Sequence, residues 1–176
     1  MGEGGTPRAT KLLLVAVLAV TGAAVAWYLL AAPVDEPRAA GLVLLLLTLL
    51  FLGRVAGQVA VARYAPAWLP RMSQWNLLPY RYLLPTQLVF LVVMGVVSAA
   101  FLDGSRDGVL TEPRGAVGAA VVAASGVYAG GMAVRYAVRM RRRSDQRWFG
   151  GTIPIVFHWV LAAFLLACGA YNLRAA

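Results

Sequence analysis

Apolar residues come in five long runs separated by short polar intervals. The runs are Leu12 to Ala32, Ala39 to Ala62, Leu83 to Leu102, Gly115 to Val138 and Thr152 to Leu173. A helix crossing a bilayer needs about 20 mostly apolar residues, because the hydrocarbon layer is about 30 Å thick and a helix rises about 1.5 Å per residue. All five runs reach that length. None alternates strictly between apolar and polar, so barrel strands are not expected. Backbone groups in hydrocarbon must be satisfied within their own segment, which leaves helices. The pattern predicts an all-α polytopic membrane helix bundle, with a single integral domain over residues 1–176.

Proline punctuates the runs. Pro33, Asp35, Glu36 and Pro37 end the first. Pro85 is expected in the first turn of the third helix and Pro154 near the start of the fifth, where a missing N–H costs little. The first run has a basic flank, Arg8 and Lys11, but its apolar core is longer than the 7–15 residues usual for a signal peptide. Trp27 and Tyr28 near its end fit interfacial anchors. It is read as a retained helix.

Charge between the runs sets an orientation. Arg8 and Lys11 precede the first span; Arg63, Arg71 and Arg81 follow the second; Arg139, Arg141, Arg142, Arg143 and Arg147 follow the fourth. The two intervening loops hold fewer basic residues, and they carry Asp35, Glu36, Asp103, Asp107 and Glu112. Basic loops stay in the cytoplasm, so the N-terminus is expected inside and the C-terminus outside. The segment 64–82 is then a cytoplasmic aromatic loop with Trp68, Trp75, Tyr64, Tyr80 and Tyr82. Its prolines exclude one continuous helix. It is expected to lie at the headgroup layer, as an interfacial anchor or as a lid over an inner cavity.

Composition agrees with this reading. The chain is 61% hydrophobic and 13% charged, against about 25% charged in soluble domains. A net charge of +9 does not indicate nucleic acid, because the arginines sit between apolar runs where topology signals belong. The single cysteine, Cys168, cannot form an intramolecular disulfide and reads as a small buried side chain. No metal site or cofactor is expected: one histidine cannot supply bis-histidine haem ligation, and the spans lack carboxylate clusters. "GVYAGG" lacks the pattern of a phosphate-binding loop. An arginine- and glycine-rich, lysine-poor chain with short loops fits a bacterial plasma membrane.

Polar groups inside the runs are the candidates for chemistry. Arg54 lies about eight residues before the inner end of the second run, roughly 12 Å deep, and no acidic residue lies inside any run. Gln58 is four residues on, sharing its face. Gly53 and Gly57 form a small-xxx-small pair expected to pack closely against a neighbour. Gln87 shares a stripe with Met94 and Ser98. Arg135 shares one with Ser125, Tyr128, Met132 and Arg139, where Tyr128 and Met132 read as packing. His158 shares one with Pro154, Leu165, Cys168 and Asn172.

In the predicted topology Arg54, Gln58, Gln87, Arg135 and His158 fall in the cytoplasmic leaflet. If they converge, they form an electropositive, donor-rich pocket suited to an anionic or quinone-like head. Arg139, Arg141, Arg142, Arg143 and Arg147 are expected to meet lipid headgroups. Two functions follow. The first is a small non-enzymatic accessory protein or subunit of a membrane complex, meeting a protein partner or a second copy through Gly-rich faces such as Gly126, Gly130 and Gly131. The second is a binding protein, transporter or enzyme for an anionic lipid, isoprenoid or quinone. The absence of a catalytic acid at depth with His158 favours the first.

Overall fold

The computed structural model describes residues 8–33, 36–66, 69, 80–142 and 152–176. It contains helices α1 (Arg8–Leu30), α2 (Pro37–Tyr64), α3 (Tyr80–Asp103), α4 (Gly115–Arg142) and α5 (Ile153–Arg174). No strand occurs among the described residues. Each of the five helices is long and apolar enough to cross a bilayer.

The boundaries follow local chemistry. Glu36 is extended (φ −102, ψ 109) and Pro37 opens α2, a position that suits its fixed φ and missing donor. Ala65 closes α2 in the left-handed region (φ 42, ψ 49), with its N–H donating to Val61 O. Several helices extend beyond the apolar runs, α1 back to Arg8 among them. α4 continues to Arg142, which puts Arg139, Arg141 and Arg142 in its last turn. α3 starts at Tyr80, so Pro85 lies inside the helix and not in its first turn. The aromatic-basic segment ahead of Leu83 is helical although it is not apolar. Near this break Thr86 Oγ1 donates to Tyr82 O at 3.0 Å.

α2 and α5 are the most buried helices and form the centre of the bundle. α3 packs on α2, α4 packs on α5, and α1 lies across α2 and α5. Leu44 and Leu47 from α2 and Val156 and Val160 from α5 are fully buried. Glycines let backbones touch. A Cβ on Gly41 would stand 2.8 Å from Leu102 N of α3; one on Gly118 would stand 2.6 Å from Leu173 N of α5. These contacts bring the start of α2 beside the end of α3, and the start of α4 beside the end of α5.

The two ends of the bundle differ in charge. Glu36, Asp103, Asp107 and Glu112 share one end with Arg38, Arg106, Arg114 and Arg174. The opposite end carries Arg8, Lys11, Arg63, Arg81, Arg139, Arg141 and Arg142, and no acid among the described residues. They are called the mixed-charge end and the basic end below.

Candidate functional site

Arg54 sits on the side of α2 that looks towards α1 and α5. It is only 7% exposed. Its guanidinium carbon lies 5.9 Å from the ring centre of Phe51, one turn earlier on α2, and 5.7 Å from that of Phe157 on α5. Two aromatic faces attract a cation by roughly 0.5–2 kcal/mol each. That offsets only part of the cost of holding a charge away from water. The Arg54 Nε is buried and has no hydrogen-bond partner among the described residues. Phe157 is in the second turn of α5, so Arg54 is deep within α2 yet close to the basic end of α5.

Arg54 lines a groove of about 460 Å³ between α1, α2 and α5. Leu14 and Val17 of α1, Leu50 and Gly53 of α2, and Ile153 and Phe157 of α5 are part of its wall. Leu69, from the segment after α2, is buried and also reaches it. Gly53 and Gly57 both border the groove. A Cβ on Gly53 would meet nothing within 4 Å. That glycine therefore borders open space, where the sequence pattern led us to expect close helix packing.

The other four candidates are not in the lining of this groove. Thr48 Oγ1 and Ser98 Oγ are 3.1 Å apart across α2 and α3. From that pair, ten residues along α2 reach Gln58 and eleven back along α3 reach Gln87, about 15 Å nearer the basic end. Gln58 is fully buried and Gln87 is 3% exposed. Gln87 Oε1 has no partner among the described residues. Neither glutamine lines the Arg54 groove.

His158 belongs to the α4–α5 seam. Its Nδ1 shares a hydrogen bond with Tyr128 Oη, the donor depending on the histidine tautomer, and the two rings meet edge to face. Beside it, Trp159 Nε1 donates to Ala129 O at 3.2 Å and Ser125 Oγ donates to Ala162 O at 2.7 Å. Arg135 is half-buried one to two turns further along α4. Of the five candidates, only Arg54 lines the groove. Arg143, Arg147, Trp68 and Trp75 lie outside the described residues.

Two polar residues have contacts that the sequence reading does not anticipate. Tyr128 was read as packing, and it is the direct partner of His158. Thr10 was placed outside the first span, and it lines the Arg54 groove at 3% exposure with its hydroxyl unpartnered among the described residues. The signal for Thr10 is helical spacing. Thr10, Leu14, Val17, Thr21 and Tyr28 form the buried stripe of α1, a pattern legible once the helix is extended back to Arg8.

Comparison with known protein families, with characterised proteins and with solved structures gives no match for this chain. Class therefore rests on architecture: a five-helix apolar bundle with a lone buried arginine in a groove near its basic end.

Proposed function

We propose that the chain is a multi-pass membrane protein that binds an amphiphile with an anionic head, without catalysing a reaction on it. In this reading the basic end faces the cytoplasm of a bacterial cell, with the N-terminus inside and the C-terminus outside, because arginine-rich flanks are retained there. The observation that carries the binding reading is Arg54. A buried guanidinium with no acidic partner among the described residues borders an apolar groove large enough for a ligand. Small-molecule sites span about 300–1,000 Å³ and combine apolar walls with a few polar groups. An anion supplies the charge that the bundle does not, and a neutral quinone head does not.

The test is lipid retention. Wild type and Arg54→Leu are purified in mild detergent, and co-purifying lipids are measured by mass spectrometry. Loss of one anionic species from the variant is the expected result. Equal lipid content in both proteins would remove the reading.

A second reading is that the chain is a subunit of a membrane complex. It is favoured by the surface of α4, where a Cβ on Gly126, Gly130 or Gly131 would meet nothing within 4 Å. These glycines are unused by the helix contacts within one chain. A stoichiometric protein in a mild-detergent pulldown is the expected result for this alternative; a lone chain with a retained lipid returns the choice to the groove.

A further inference from the structure

The groove contains more recognition chemistry than Arg54 alone, and this inference rests on the amphiphile reading above. Thr10 enters it from α1 and Arg54 from α2. Each is more than nine-tenths buried, and each has a buried polar atom, Thr10 Oγ1 and Arg54 Nε, with no partner among the described residues. A helical threonine ordinarily donates its hydroxyl to the carbonyl four residues back. Thr48 does so, to Leu44 O at 2.8 Å. Thr10 makes no such bond among the described residues, and its side chain borders the groove.

The lining also limits the charge and size of the head. Arg54 is the one charged residue among the described residues that border the groove, and Thr10 is the one other side chain there with a hydrogen-bonding group. One cation balances one negative charge. A phosphate monoester carries about −1.5 to −2 near neutral pH, which leaves charge uncompensated in an apolar wall. A phosphodiester carries a single charge but brings a second, polar substituent for which the lining has no partner. A carboxylate has one charge, two oxygens and nothing more. One oxygen suits the guanidinium fork and the other the threonine hydroxyl.

We propose that Thr10 and Arg54 form a two-point site for the ionised head of a single-chain carboxylic acid. Its alkyl chain lies along Leu14, Val17, Leu50 and Phe157. Thr21 provides an internal control. It lies on the same stripe of α1, is also buried, and has an unpartnered hydroxyl among the described residues, but it borders a separate depression with no charged residue in its lining.

The experiment uses the full chain in nanodiscs of zwitterionic lipid. Spin-labelled stearate and spin-labelled phosphatidylglycerol are added separately, and the motionally restricted fraction is read by electron paramagnetic resonance. Stearate is expected to bind in preference. Thr10→Val should weaken it about tenfold, as for loss of one hydrogen bond to a charged group. Thr10→Ser should restore binding and Thr21→Val should leave it unchanged. Arg54→Leu should abolish it, with Arg54→Lys giving an intermediate value should the leucine variant fail to fold. Preference for phosphatidylglycerol would overturn the carboxylate and keep the anionic amphiphile. Wild-type binding in Thr10→Val would overturn the two-point site alone. Wild-type binding in the Arg54 variants would overturn both readings together.

Discussion

At the mixed-charge end a Cβ added to Gly118 would stand 2.6 Å from Leu173 N, whereas near the basic end one added to Gly53 would meet nothing within 4 Å. Polar groups follow the same division. Near the mixed-charge end Tyr171 Oη donates to Thr111 O at 2.9 Å and its ring packs edge to face on Phe101. Arg174 donates to Tyr28 O at 3.0 Å, and Asn172 Oδ1 accepts from the Arg114 N–H at 3.1 Å. Tyr28 Oη and Thr21 Oγ1 are the exceptions in that half, buried without a partner among the described residues. Towards the basic end Arg54 Nε, Thr10 Oγ1 and Gln87 Oε1 are all in that condition. Where backbones touch, the bundle satisfies most of its own polar groups. Where α1 leaves room beside α2, Arg54 Nε and Thr10 Oγ1 are left for something else. The first region holds the fold together and the second is positioned by it.

The largest effect should come from filling the closed end. Gly118→Ala forces α4 away from the backbone of α5, since the new methyl would lie 2.6 Å from Leu173 N and 2.9 Å from Gly169 O. Backbone cannot rotate aside as a side chain can. A loss of about 3 kcal/mol is expected, at the upper end of overpacking costs, read from denaturant unfolding in micelles. A loss under about 0.5 kcal/mol, the level of an indifferent surface site, would mean that the two ends are equally loose.

Next comes Arg54→Leu, whose sign is opposite. In lipid-free protein the leucine removes a buried charge that lacks an acidic partner among the described residues, so stability should rise by about 2 kcal/mol. With ligand present, wild type should recover that difference through binding. A lipid-free variant that is less stable than wild type would show that Arg54 is satisfied by the fold itself.

The five apolar runs were sufficient to anticipate five helices, because helix length and apolarity in such a chain are one constraint. Ends were less legible. Arg8 to Lys11, Tyr80 to Tyr82 and Met140 to Arg142 are helical, though they lie outside the apolar runs. That shift is why Pro85 became internal and Thr10 became part of the buried stripe. Direction around each helix was not legible either. A single sequence does not say which neighbour a stripe meets: Arg54 borders the groove between α1, α2 and α5, His158 meets Tyr128 of α4, and neither Gln58 nor Gln87 lines that groove. Tyr128 was passed over because spacing alone does not separate a packing tyrosine from one bonded to histidine.

The α4–α5 seam should respond moderately. Tyr128→Phe removes the phenol that His158 Nδ1 meets, and about 1 kcal/mol is expected, within the range for polar contacts between membrane helices. A double-mutant cycle with His158→Phe should return a coupling of similar size. Coupling near zero would place the seam's stability in its glycine contacts and the Ser125 bond. Ser98→Ala should cost less, about 0.5 kcal/mol. Thr48 retains its own bond to Leu44 O when Ser98 is shortened, so no buried hydroxyl is stranded.

The smallest effect separates the two kinds of glycine most sharply. Gly126→Ala is the same chemical change as Gly118→Ala, on the same helix, two turns along. Nothing lies within 4 Å of the new methyl. Alanine is the better helix former by roughly 0.5–1 kcal/mol, so a single chain should become slightly more stable. The same substitution tests the subunit reading, because a partner helix seated on Gly126, Gly130 and Gly131 would be pushed away. An alanine variant that unfolds later and migrates unchanged on native gels places lipid against this face. One that unfolds later but loses a slower-migrating complex assigns the face to a partner. Either result preserves the contrast with Gly118. Equal destabilisation at both positions would remove it, since one chain alone provides no contact at Gly126 for the methyl to break.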